Sequence, residues 1–125
     1  MIIVEKISNV AQLLVGAAKT RKGVGFRALH ALFDSDAPNN DVYDTLEAAS
    51  RALCSSPLAI YSAVMAKSAD GCPGSGFYDI FNNLRRDEFK AITGHNDLHQ
   101  LTETDRKAIA NIERDRVYQH AEKHF

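Results

Sequence analysis

Leu58-Ala59-Ile60-Tyr61-Ser62-Ala63-Val64-Met65-Ala66 runs without a charge, a glycine or a proline until Lys67. Ile60, Tyr61, Val64 and Met65 favour extended backbone on a buried surface, so the stretch reads as a strand, the one convincing strand in the chain. A lone strand cannot satisfy its own N–H and C=O groups. It must therefore pair with residues 2–5, with residues 23–26, or with a second chain.

Upstream, Val4, Ile7, Ala11, Leu14 and Ala18 recur at helical spacing. Asn9 followed by Gln12 has the pattern of a capping box, which would start the helix there and leave residues 2–5 as a short strand. Thr20-Arg21-Lys22-Gly23 closes that helix, with cations at its negative end. Gly23 and Gly25 bracket a short extended piece before a helix of about two turns over 26–33. Pro38 breaks the chain, and Asn39 or Asn40 is expected to cap a third helix with Val42, Leu46, Ala49 and Leu53 on its buried stripe.

Downstream, Asp70 to Gly76 is a tight loop with three glycines. A helix over 77–85 buries Phe77, Ile80, Phe81 and Leu84, and a short helix over 87–93 ends at Gly94. Thr102 with Asp105 forms a second capping-box pattern and opens a long last helix to about residue 122. The expected architecture is α+β and mainly helical, with winged-helix-like helices and a small two- or three-stranded sheet, all in one domain over 1–125.

Composition narrows the function. Across 125 residues, apolar types make up 45% and charged types 25%, as in ordinary globular chains and unlike disordered or fibrous ones. No apolar run approaches the ~20 residues of a membrane span. The opening Met1-Ile2-Ile3-Val4-Glu5-Lys6 reverses the order of a secretory signal. Two cysteines, Cys54 and Cys72, are too few for a disulfide framework, and a cytoplasmic location is the expectation. A net charge of −1 excludes a strongly basic coat protein but not a local basic patch.

Gly23-Val24-Gly25-Phe26-Arg27-Ala28-Leu29, a helix, Leu58 to Lys67, Gly71-Cys72-Pro73-Gly74-Ser75-Gly76-Phe77 and a closing Glu113-Arg114-Asp115-Arg116-Val117-Tyr118 together cover most of residues 20 to 120. This set resembles small stand-alone bacterial proteins with a G-x-P-G-x-G-F loop, themselves largely uncharacterised. Some of those are similar to proteins carried on mobile gene cassettes. More distantly, the order helix, helix, strand, glycine loop is similar to the winged-helix domain of the DNA alkyltransferase-like proteins, with Phe26 where that family has tyrosine. That resemblance implies DNA binding through the second helix. The chain has no Pro-Cys-His-Arg active-site motif, and its would-be recognition helix opens with Asn40-Asp41-Val42-Tyr43-Asp44 where the family favours arginine.

Charge is unevenly placed. Residues 1–33 hold Lys6, Lys19, Arg21, Lys22 and Arg27 against Glu5 alone, whereas residues 34–47 hold Asp34, Asp36, Asp41, Asp44 and Glu47 with no cation. Acids at the start of a reading helix repel phosphates, whereas cations release counterions from DNA. Any nucleic-acid contact is therefore expected through Lys19, Arg21, Lys22 and Arg27, with Lys67, Ser75, Arg85 and Arg86. The bland readings stand beside this: acids near a helix N-terminus favour its dipole, and charge runs are commonly solvated faces. Asp41, Asp44, Tyr43 and Tyr78 form the alternative, a protein-interaction surface, with both tyrosines free to be exposed. A homodimer pairing sheet edges is compatible with either.

Reaction chemistry is weaker. Cys72 or Ser75 on the glycine turn, backed by His95 or His99, would pair a nucleophile with a base, which makes a hydrolase the third reading. No hydrolase signature surrounds them, and a strand-to-helix turn needs such residues anyway. The same glycines could cradle a phosphate at the following helix N-terminus, although the Walker lysine is missing. His95/His99 and His120/His124 have the i,i+4 spacing of metal ligands, but the first pair falls in a loop and the second in a helix's last turn. No metal, no cofactor and no membrane partner are expected. The sequence reads as a small non-catalytic binding protein, with DNA first and a protein partner second.

Overall fold

A computed structural model describes residues 1–125. After a 3-10 turn at Val4–Lys6 come α1 (Ile7–Thr20), β1 (Val24–Gly25), α2 (Phe26–His30) and α3 (Asn39–Leu53). A second 3-10 turn at Tyr61–Val64 leads into β2 (Met65–Ala66), α4 (Ser75–Leu84) and α5 (Arg86–Thr93), and a third at Leu98–Gln100 into α6 (Glu103–His124). The protein is mainly helical with a small sheet. No helix is long and apolar enough to cross a membrane.

The segment 58–66 decides the packing, though not as a strand. Ala59 to Met65 are all buried, but only Met65 and Ala66 enter the sheet. The preceding residues turn as a 3-10 helix because side chains, rather than a neighbouring strand, satisfy their backbone. Glu113 Oε2 accepts from the Ile60 N–H at 3.0 Å and Ser50 Oγ from the Ser62 N–H at 3.2 Å. Arg114 donates to the Ala63 carbonyl at 2.7 Å and the Met65 carbonyl at 3.0 Å. α1, α3 and α6 enclose the segment, and buried polar groups from the latter two do the work of a ladder.

The sheet is two-stranded and parallel, with Val24 opposite Met65 and Gly25 opposite Ala66. Of the three possible partners for the strand, residues 23–26 supply it. The strands approach closely at Gly23, where a Cβ would lie 3.0 Å from that of Ala66.

Residues 2–5 form no strand, because the Ile3 N–H is taken by Thr45 Oγ1 at 2.9 Å. α1 begins at Ile7 without a side-chain cap, not at Asn9. It ends as expected, with Arg21 in the left-handed region at φ 54° and the Lys22 N–H reaching back to Ala17. α2 stops at His30, short of two turns. Neither asparagine caps α3; Pro38 holds the cap position, and its carbonyl accepts from Asp41 and Val42. α4 starts two residues earlier than expected, at Ser75, and leaves Leu84 exposed at its end. α5 closes on Gly94 at φ 84°, and α6 opens with the full Thr102–Asp105 capping box.

Candidate ligand cleft

A cleft of about 700 Å³ opens between α3, β2 and the N-terminus of α4. Its size is that of small-molecule sites. Phe26, Leu46, Met65 and Phe77 give it apolar walls, and Tyr43 stands at its rim, edge-on to Phe26 with ring centroids 6.0 Å apart. The glycine loop brings α4 to the cleft. Lys67 N–H donates to the Cys72 carbonyl at 2.8 Å, closing the loop, and Gly74 lets the Phe26 ring approach to 3.2 Å of where a Cβ would be. α4 therefore starts at the cleft, and the N–H groups of Ser75 and Gly76 have no acceptor in the protein. Such a helix end is electropositive, and Lys67, whose Nζ lies 4.0 Å from Asp70 Oδ2, also lines the cleft.

Two further polar residues, Ser62 and Glu47, line the cleft. Ser62 is 2% exposed, and its Oγ is buried without a hydrogen-bond partner, an unusual condition for a buried hydroxyl. Glu47 Oε1 lies 3.8 Å from where a Cβ on Gly76 would be. Burial pushes the Glu47 carboxyl up to about 7. The Arg51 charge and the nearby Ser62 hydroxyl pull the other way without offsetting the burial.

Glu47 and Ser62 did not stand out in the sequence. Glu47 reads there as one acid in a run, and Ser62 as one small residue in a strand. The available signal was the helical spacing of Tyr43, Leu46 and Glu47, which places an acid on a partly apolar face.

The cations have different surroundings. Lys67 and Ser75 line the cleft. Lys19 and Arg21 turn instead to the C-terminal end of α6, where Lys19 Nζ donates to the Phe125 carbonyl at 2.9 Å. Arg21 there pairs with Glu122 and lies over the Tyr118 ring. Lys22, Arg27 and Arg86 are exposed. Arg85 is not available to a nucleic acid: its side chain is 10% exposed and bonded to Glu113 and to the carbonyls of Ser56 and Pro57.

Of the residues proposed for protein contact, Tyr43 is exposed at 40%, and Asp41 and Asp44 accept from the Met1 amine. Tyr78 is buried at 3%, its hydroxyl donating to the Arg106 carbonyl at 2.9 Å. It is a core residue because α4 turns this side toward α6, and burial raises its phenol well above the usual tyrosine range.

Cys72 is buried, its N–H on Asp70 Oδ1 at 2.9 Å and its thiol directed at the Asp70 carbonyl. That backbone donor is also the main reason the Asp70 carboxyl is held below the ordinary range. Ser75 is exposed, and no histidine pairs with either residue. His95 Nδ1 accepts from the Asp97 N–H within its own loop. His120 and His124 stack ring on ring at 4.3 Å, and His120 Nδ1 meets the Tyr61 hydroxyl at 2.6 Å. No three His, Cys, Asp or Glu side chains converge as a metal site would need.

Comparison with known protein families, with curated proteins and with solved structures finds no match to this chain. The cleft itself carries the functional reading.

Proposed function

We propose that this chain is a non-catalytic binding protein whose ligand is a small molecule seated in the cleft at the start of α4. The reading is carried by the cleft lining, which includes Ser62 with a buried hydroxyl that has no partner in the protein. A polar group in that position costs stability unless something completes its hydrogen bonding, and Ser75 and Gly76, whose N–H groups have no acceptor in the protein, line the same cleft. Apolar walls for the body of a ligand and a few convergent polar groups for its orientation are what such sites consist of.

Nucleic-acid binding is the second reading. The pairing of β1 with β2 favours it, because it sets the segment 22–27 beside Lys67. The order of α2, α3, β2 and glycine loop would also suit a winged-helix-like reader. Against it, α3 carries Asp41, Asp44 and Glu47 where a recognition helix meets phosphates.

One experiment separates the two. The amide spectrum of the protein is recorded with mixed amino acids, carboxylates and inorganic phosphate, and separately with duplex DNA at low salt. The cleft reading predicts shifts centred on Ser62, Ser75 and Gly76 with the small molecules. Shifts confined to Lys22, Arg27 and Lys67 with DNA alone would replace it with the second reading.

A further inference from the structure

Resting on the cleft as the ligand site, we infer that its ligand is a free α-amino acid with an apolar or aromatic side chain, its ammonium against Glu47 and its carboxylate against the N-terminus of α4. Charge at short range favours such a molecule. Glu47 Oε1 and the backbone of Gly76 adjoin, with 3.8 Å between the oxygen and a Cβ on that glycine. An anion alone at the helix end would sit beside the Glu47 carboxylate. A cation alone at Glu47 would face the positive helix end. A molecule whose opposite charges sit on neighbouring atoms satisfies both walls, and an α-amino acid has that arrangement, whereas a peptide separates its two termini.

Independent of the helix end, Ser62 lines the same cleft, its buried hydroxyl near Glu47 and without a hydrogen-bond partner in the protein. Phe26, Leu46, Met65 and Phe77 offer the side chain an apolar slot. Glu47 is raised to about 7 by burial, as befits an acid that lacks its cation. Pairing with an ammonium ion would restore the charged form.

The test uses calorimetry on the whole chain with three probes: L-phenylalanine, 3-phenylpropionate, which lacks the ammonium, and phenethylamine, which lacks the carboxylate. L-phenylalanine should bind at pH 8 about tenfold or more tightly than either analogue, the size of effect expected for losing a charge-assisted hydrogen bond. It should weaken on lowering the pH to 6, where Glu47 must first give up a proton. Glu47→Gln should weaken L-phenylalanine by about tenfold and leave 3-phenylpropionate unchanged or tighter. Ser62→Ala should weaken L-phenylalanine by a smaller factor, and circular dichroism checks that both variants fold.

Equal binding of L-phenylalanine and 3-phenylpropionate, or an unaltered affinity in Glu47→Gln, would overturn the inference and leave a site for simple anions. Failure of L-phenylalanine to bind overturns it outright. The cleft reading itself then survives if 3-phenylpropionate or inorganic phosphate shifts the Ser75 and Gly76 amides, and falls with it if neither does.

Discussion

Arg85 and Glu113 meet inside the molecule as a two-pronged pair, Nε on Oε1 at 2.8 Å and a terminal nitrogen on Oε2 at 3.0 Å, with Glu113 wholly buried. The same carboxylate accepts from Arg116 and from the Ile60 N–H, while Arg116 also holds Glu88. One acid on α6 thus ties together the segment 58–66, the end of α4 and, through Arg116, α5. Glu113→Ala would strand a buried guanidinium and a buried amide. Breaking such a pair costs about 3 to 5 kcal/mol, and urea denaturation should show a loss of that order. A loss under about 1 kcal/mol, the scale of a surface pair, would mean that the network does not hold the fold.

Gly23 and Gly25 test the sheet. A Cβ at Gly23 meets the Ala66 Cβ at 3.0 Å, whereas at Gly25 it meets nothing within 4 Å. Gly23→Val should destabilise by about 1 to 3 kcal/mol through overpacking, and Gly25→Ala should stay within about 0.5 kcal/mol of the parent. Thermal unfolding of the two variants compares them directly, and equal effects would contradict the close parallel approach.

Tyr78 separates a core residue from a surface anchor. Its hydroxyl donates to the Arg106 carbonyl, so Tyr78→Phe should cost about 1 kcal/mol of stability. An exposed contact residue would give no change in the unfolding midpoint.

Glu47 makes stability depend on pH in the direction opposite to an ordinary paired acid. Its folded value is raised from 4.5 to about 7, so between those values the folded chain holds a proton that the unfolded chain has released. Its contribution is therefore full below pH 4.5, declines as pH rises toward 7, and is gone above. Glu47→Gln removes the dependence and should be more stable than the parent at pH 8 by about 2 kcal/mol, with the gap closing toward pH 5. A constant gap across that range would show that the carboxyl is not buried as described.

Much of the architecture was legible in the chain because it is written in local signals. Thr102 with Asp105 needs only its own turn to form a capping box, Gly94 ends α5 by adopting a positive φ, and the glycines around Val24 mark the extended piece that pairs with Met65. The segment 58–66 was legible as buried but not as a 3-10 turn, since its backbone partners, Glu113, Arg114 and Ser50, lie on helices distant in sequence. Tyr78 was misplaced for a related reason: a stripe drawn from Phe77, Ile80 and Phe81 does not show that α6 covers the neighbouring side. The glycine loop was visible as a possible anion cradle at a helix start. The acid and the hydroxyl lining the same cleft were not, because nothing local relates Glu47 on α3 and Ser62 to the first turn of α4.

The amino-acid site is tested most sharply by a crystal structure grown at pH 8 with L-phenylalanine, which should show the ligand in the cleft, its carboxylate on the Ser75 and Gly76 N–H groups, its ammonium on Glu47 and its ring among Phe26, Met65 and Phe77. A cleft left empty, or the ligand bound instead in the smaller hollow between Lys19 and Tyr118, would contradict it.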